Sequence, residues 1–212
     1  MNQLERIPPI DETACMEIAQ GSLPELAMIS SDIPHEMLAY QVRKAMREFT
    51  DRSRTQLRKV EIQLTPCVKE YKITLPCGEE FVSFQEDHRH NGLKSSITQF
   101  GRYQVKWDVS TCHVEVSPDP CDDVPIRISV ATKPSIESCL VDAKLYHRYY
   151  DTLMYGAKSY LYAMTGDDVE WANGTLAAFN DQKFQAGITA AATDKILDYH
   201  SGPFNLPAPR VI

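Results

Sequence analysis

The chain has 212 residues, 43% of them hydrophobic, enough to bury a sizeable core as one domain or two small ones without covalent staples. Charged residues make up 24% and the formal net charge is -7, so the basic excess that tight phosphate binding needs is absent. No run approaches the roughly 18 consecutive apolar residues of a membrane helix, and the opening MNQLERIPPIDETACMEIAQ lacks the basic-then-apolar order of a signal peptide. The expectation is a soluble protein that stays in the cytoplasm where it is made.

Residues 1–31 form an N-terminal extension without a clear pattern. The first well-marked element starts near Asp32, placed to cap a helix whose first turn carries Pro34, where a missing N–H costs nothing. Leu38, Val42, Ala45, Met46 and Phe49 then recur at spacings of three and four, which predicts one apolar face and an end near Arg54.

From Lys59 to about Thr132 the pattern changes to short alternating runs: KVEIQL, EYKITL, EEFVSF, YQVKWDV, CHVEV and IRISVAT. Alternation puts every second side chain on one face, as in antiparallel sheets with one buried side. Pro76–Gly78 and Asn91-Gly92 punctuate the runs and read as hairpin turns. Several such strands need a second layer to bury their apolar side, so a β-sandwich is expected.

Helix is expected again after Pro134, through ESCLVDAKLYHRYYDTLMYGAKSYLYAM, with a stripe of Val141, Leu145, Tyr149, Leu153, Ala157, Tyr160, Leu161 and Met164. Gly156 reads as a packing notch for a neighbouring element. TGDDVEW breaks this helix, and a second one follows with Leu176, Ala177, Phe184, Ile188, Ala191 and Ala192 on its buried side. The pair reads as an antiparallel hairpin against which the first helix packs. The tail HSGPFNLPAPRVI holds three prolines among apolar residues and reads as an extended arm.

The fold class expected is therefore α+β. A helical lobe (residues 32–58 and 134–199) combines one N-terminal helix with a C-terminal helical hairpin. An antiparallel β-sandwich (59–133) is inserted in it, residues 1–31 precede it, and an extended C-terminal arm (200–212) follows it.

Chemistry-bearing motifs are sparse. His88 and His90 alternate beside a turn, and Cys112-His113 lies further on, but no CxxC pair or HExxH spacing supports a zinc site, and solvated loop histidines are the plainer reading. There is no GxSxG elbow and no phosphate loop of the GxGxxG or GxxxxGKS type. Asp122-Asp123 and Asp167-Asp168 read as turn and cap residues before acid–base groups. The six cysteines, Cys15, Cys67, Cys77, Cys112, Cys121 and Cys139, would suit a disulfide framework in a small secreted protein, but free thiols are expected in a cytoplasmic one. No catalytic residue, metal or cofactor is expected. The basic cluster Arg43, Arg47, Arg52, Arg54, Arg58 and Lys59 offers a charged interface for an acidic partner or a DNA backbone, against the plainer reading of a solvated helix face.

Three stretches carry a resemblance: IPHEMLAYQVRKAMREFTDRS (Ile33–Ser53), VEVSPDP leading into VPIRISVATKPS, and LYHRYYDTLMYGAKSYLYAMTGDDVEWANGTLAAFNDQKFQAGITAA (Leu145–Ala191). In this order the chain resembles the head-to-tail adaptor, or connector, subunits of short-tailed and related tailed bacteriophages, across about Ile33 to Ala192. Gly156, Ala157, Trp171, Asn173, Ala177 and Phe184 occupy the recognisable structural positions.

The resemblance implies a non-enzymatic virion protein of the neck, a homo-oligomeric ring of about twelve copies beneath the portal protein ring. The tail nozzle or other tail proteins attach below, and DNA passes through the channel without sequence-specific binding during ejection. It also implies an arm docked on the portal, with Phe204, Leu206, Val211 and Ile212 as its apolar anchors. Alternatives are a tail terminator-like subunit, a small metal- or thiol-dependent hydrolase, and a carbohydrate-binding sandwich with Trp107 or Trp171 as sugar platform. Trp171 is more simply a core residue.

Overall fold

A computed structural model of the chain describes residues 15–76, 78–85, 97–108, 113–138, 140–165 and 169–200, with side chains for all of these except 15–21, 100, 140, 141 and 195–200. It is an α+β structure with two hydrophobic cores, one made by helices and one by sheets. The chain enters through β1 (Cys15–Glu17) and α1 (Ile18–Ala27), inside the stretch without a clear sequence pattern.

The first strongly amphipathic element is α2 (His35–Ser53). Its start differs from the sequence expectation. Pro34 is extended, with φ -59° and ψ 137°, and its carbonyl accepts from Met37 N at 3.0 Å and Leu38 N at 3.1 Å, so Pro34 opens the helix. Asp32 stands outside it and accepts from Ser31 Oγ instead of capping. The expected face is buried: Leu38, Val42, Ala45, Met46 and Phe49 are all inaccessible. The helix ends at Arg54, whose left-handed φ of 54° lets its N–H reach the Thr50 carbonyl at 3.0 Å.

Two sheets follow. In the first, β8 (Val124–Pro134) runs between β2 (Leu57–Leu64) and β4 (Glu79–Phe84), antiparallel to both, with Leu57 opposite Ala131 and Leu64 opposite Val124. In the second, β3 (Glu70–Lys72), β7 (His113–Ser117), β6 (Tyr103–Asp108) and β5 (Ile97–Phe100) lie in that order, all antiparallel. Ile62, Leu64, Phe84, Ile126, Ile128 and Val130 of the first sheet share a core with Tyr103, Val105, Trp107, Val114 and Val116 of the second. Each of the aliphatic side chains and Phe84 contributes roughly 1.5–3 kcal/mol by leaving water.

The turn at Pro76–Gly78 is not a hairpin. The strands on either side of it, β3 and β4, pair in different sheets, because the chain must cross between layers to give both an apolar inner face. Asn91-Gly92 lies outside the described residues.

After Pro134 the chain does not turn helical at once. Leu140–Asp142 forms β9, antiparallel to β1, and helix begins only when Asp142 caps α3 (Ala143–Arg148) by accepting from Lys144 N at 3.0 Å and Leu145 N at 3.2 Å. Val141 is thus a strand residue, and the expected single helix is two: α3, then α4 (Tyr150–Tyr162). Asn173 joins α4 to α5 (Gly174–His200). Its N–H reaches the Tyr162 carbonyl at 2.9 Å, and its side-chain oxygen accepts from Leu176 N at 3.0 Å. The cap of α5 is therefore Asn173, while Asp167 and Asp168 lie outside the described residues.

The three helices α2, α4 and α5 pack around Val42, Met46, Phe49, Leu153, Ala157 and Phe184, with Leu26 of α1 added at one side. Phe184, Ile188 and Ala191 of α5 are buried as expected, but Leu176 is exposed, because the α5 face that meets α4 begins further along the helix.

Candidate functional site

Four of the basic residues singled out in the sequence lie along or just beyond α2, where the helical lobe meets the first sheet. Arg47 donates to Glu80 at 2.7 Å and to the Pro134 carbonyl at 2.8 Å, and Lys133 reaches Asp51 at 3.1 Å. Arg58 Nε lies 3.1 Å from both carboxylate oxygens of Glu79, which also accepts from Thr132 Oγ1 at 2.6 Å. Arg52 pairs with Glu48 at 2.9 Å. Arg47 and Arg58 are therefore engaged within the chain: Arg47 holds the ends of β4 and β8 to α2, and Arg58 ties β2 to β4 within the first sheet. Arg54 is the left-handed cap of α2, and burial pulls its guanidinium below its ordinary pKa. Arg43 sits on the same helix, half-buried and also engaged.

The Arg47 hydrogen bond holds the Glu80 carboxyl below the usual carboxylate range, against the opposing effect of partial burial. Two further carboxylates tie helices together. Burial would raise Glu25 of α1, but hydrogen bonds from Lys158 at 2.6 Å and Tyr150 at 2.7 Å outweigh it. Glu48 of α2 behaves likewise under hydrogen bonds from Tyr160 and Arg52, and Tyr150 and Tyr160 are in turn pushed well above the ordinary phenol range by burial and their carboxylate partners.

A shallow cavity of about 480 Å³ opens at this junction, lined by Gln56, Arg58, Asp142, Lys144, Arg148 and Tyr149 among others. Its lining holds no His or Cys, and its one carboxylate, Asp142, is occupied as the cap of α3. Gln56 is 4% exposed and its side-chain oxygen meets no donor among the described residues. The arrangement suits polar contact more than proton transfer.

The aromatic candidates have structural positions. Trp107 is 4% exposed and stacks on Phe81 with ring centroids 4.3 Å apart, so it cannot serve as a sugar platform. Trp171 is half-buried against the helical core. Of the other expected positions, Ala157 is buried, Ala177 is partly exposed, and Gly156 touches Phe184. Asp122 of the other acidic pair meets Arg102 at 3.0 Å on an exposed loop. Among the described residues no group of three or more His, Cys, Asp and Glu side chains is placed to hold a metal, and no helix is long and apolar enough to cross a membrane. His88, His90 and Cys112 lie outside the described residues, as do Phe204, Leu206, Val211 and Ile212 of the arm.

The most distinctive surface was not singled out in the sequence. Opposite Phe184, the outer side of α5 presents Thr175, Phe179, Gln182, Ala186, Thr189 and Thr193, all exposed and none charged. Phe179 is 52% exposed and neighbouring Leu176 41%, while Lys183 borders the stripe with its ammonium 5.7 Å from the Phe179 ring centroid. The hydroxyls of Thr189 and Thr193 donate to the carbonyls of Gln185 and Thr189, each at 3.0 Å, so they need no water to be satisfied. Such a stripe can enter a dry helix-to-helix contact at little desolvation cost. Its signal was readable in the spacing of uncharged residues on the side of α5 away from the core. Set against known protein families and curated proteins, the chain matches no family model and no curated relative.

Proposed function

We propose that the chain is a non-enzymatic structural subunit that assembles into a ring in the neck of a tailed bacteriophage virion, docking beneath the portal ring and joining capsid to tail. The observation that best supports this reading is the long, uncharged outer stripe of α5, which fits side-by-side packing of identical helical lobes. A head-to-tail interface that closes on itself yields a ring, and the resemblance implies about twelve copies. The ion pairs of Arg47 with Glu80 and of Lys133 with Asp51 brace the first sheet on α2, as a connector under mechanical load needs.

The arm anchors Phe204, Leu206, Val211 and Ile212 complete the reading by docking on the portal. DNA crosses the bore without being gripped, in keeping with the net charge of -7.

Purified subunit mixed with portal rings and imaged by electron microscopy tests the reading. The expected product is a second ring stacked on the narrow end of the portal. Failure to bind portal, with binding to tail tube instead, assigns the chain to a tail terminator position; binding to neither rejects a neck role.

A further inference from the structure

We propose that Cys67 and Cys121 are a thiol oxidation site that closes to an intramolecular disulfide across the tip of the β lobe. Both cysteines are exposed and free. Cys67 lies in the turn between β2 and β3, with a left-handed φ of 64°, and its backbone N–H donates to the Pro120 carbonyl at 2.9 Å. That one bond fixes how far apart the two cysteines can be. Standard dimensions put the Cα of Cys67 about 3.8 Å from the Pro120 oxygen and the Cα of Cys121, in the same trans peptide plane, about 2.8 Å from it. The two Cα atoms therefore lie less than about 7 Å apart, within the roughly 4.4–6.8 Å span that disulfides bridge without moving the backbone.

The backbones on both sides are held. Val68 N reaches the Thr65 carbonyl at 3.1 Å, Tyr71 OH donates to the Val68 carbonyl at 2.8 Å, and Val116 N donates to the Lys69 carbonyl at 2.8 Å. The ion pair of Lys69 with Asp119, at 3.1 Å, ties the same turn to the β7–β8 connection. Closing the bridge requires the Cys121 thiol to leave the Asp119 carbonyl, which it meets at 3.7 Å, and turn toward the Cys67 sulfur.

The chemistry needs a disulfide oxidant, for which glutathione disulfide serves. One cysteine thiolate attacks a glutathione sulfur, forms a mixed disulfide and releases one glutathione thiolate. The second cysteine thiolate then attacks the mixed disulfide at the protein sulfur and releases the other. Two protein thiols are oxidised, one glutathione disulfide is reduced to two glutathiones, and the two protons leave with them. The bridge closes the chain from Cys67 to Cys121 around β3 to β7, which restrains the unfolded chain more than the folded one. The pair belongs to the β lobe alone and forms whatever the chain assembles into.

The test treats the full native chain with glutathione disulfide, blocks remaining thiols, digests with trypsin without reduction and maps the cross-links by mass spectrometry. The expected product joins Val60–Lys69 to Trp107–Arg127, with fragmentation between Cys112 and Cys121 assigning the bridge to Cys121. The protein stays monomeric in its covalent state, its Tm rises, and a thiol reductant reverses the rise. Cys67→Ser and Cys121→Ser each fold with the unoxidised Tm and show no oxidant-dependent increase. Separate glutathione adducts on the two cysteines, covalent dimers, or a bridge from either to another cysteine overturns the proposal.

Discussion

The ring of Phe184 occupies the space that a side chain at position 156 would need: a Cβ on Gly156 would stand 2.8 Å from Phe184 Cε2 and 2.9 Å from its Cδ2 and Cζ. Both residues are buried, so the close approach of α4 and α5 depends on the missing side chain.

Gly156→Ala is expected to destabilise the helical lobe. Overpacking costs roughly 1–3 kcal/mol, and the gain in helix propensity from Gly to Ala, about 1 kcal/mol, offsets only part of it because the ring that must shift is fully buried. Denaturant unfolding read by far-UV circular dichroism should show a lower midpoint with an unchanged slope. A midpoint equal to the parent's would mean that the helices separate without cost.

Phe179→Glu places a charge in the middle of the uncharged stripe on α5. The monomer should nearly keep its Tm, because Phe179 is 52% exposed and stands on the side of α5 away from Phe184. Ring formation, followed by sedimentation at concentrations where the parent assembles, should be lost. Assembly at parental strength would remove α5 from the subunit interface.

Glu80 supplies a pH dependence whose direction follows from its depressed pKa. A carboxylate lowered in the folded state adds stability above its unfolded pKa and loses it as the pH falls through the folded value. Arg47 and Lys133 favour its ionised form, and Asp51 partly opposes them. Glu80→Gln should therefore lower Tm near neutral pH, and the gap to the parent should close as the solution is acidified below pH ~4. Because Glu80 is partly exposed, the effect is expected to be modest and weakened by salt.

Trp107→Ala removes the ring stacked on Phe81 and should cost roughly 3–5 kcal/mol. The two cores are separate clusters, so the loss should fall on the β lobe first. On heating, hydrogen-exchange signals of β6 and β7 should open at a lower temperature than those of α2, α4 and α5. Opening of both sets in one transition would show that the lobes unfold as a unit.

Deleting Phe204–Ile212 should leave the helical core intact, since its described members, from Leu26 to Ala191, all precede the deleted segment. Association with portal rings should weaken sharply. Full-affinity portal binding by the shortened chain would overturn the docking role of the arm.

The amphipathic face of α2 was legible because helical spacing places Leu38, Val42, Ala45, Met46 and Phe49 on one side whatever they pack against. Alternation in YQVKWDV and CHVEV likewise marked strands with one buried side, and the structure shows that side to be Tyr103, Val105, Trp107, Val114 and Val116. The notch at Gly156 was also readable, though not the ring that fills it. Strand pairing was less accessible: local turn chemistry at Pro76–Gly78 suggested a hairpin, but β3 and β4 entered different sheets. The capping role of Asp142 was hidden because the apolar stripe runs through it, and only the pairing of β9 with β1 pulls Leu140–Asp142 out of the helix.

The candidate surfaces divide in the same way. Clustering of arginines was visible in the sequence, but whether a guanidinium faces solvent or a carboxylate depends on residues far along the chain, such as Glu80 for Arg47 and Glu79 for Arg58. The outer stripe of α5 follows from spacing alone once its inner face is known.

By itself the sequence determined the mixed α+β composition, the buried faces of its strongly periodic segments and the small residue at the α4–α5 contact, because these depend on backbone periodicity and side-chain size. Tertiary structure alone decided which strands share a sheet, which arginines are engaged, which α5 side chains remain outside and that Cys67 lies beside Cys121. Those relationships join residues distant in sequence, and local periodicity carries no information about which distant segment supplies the partner.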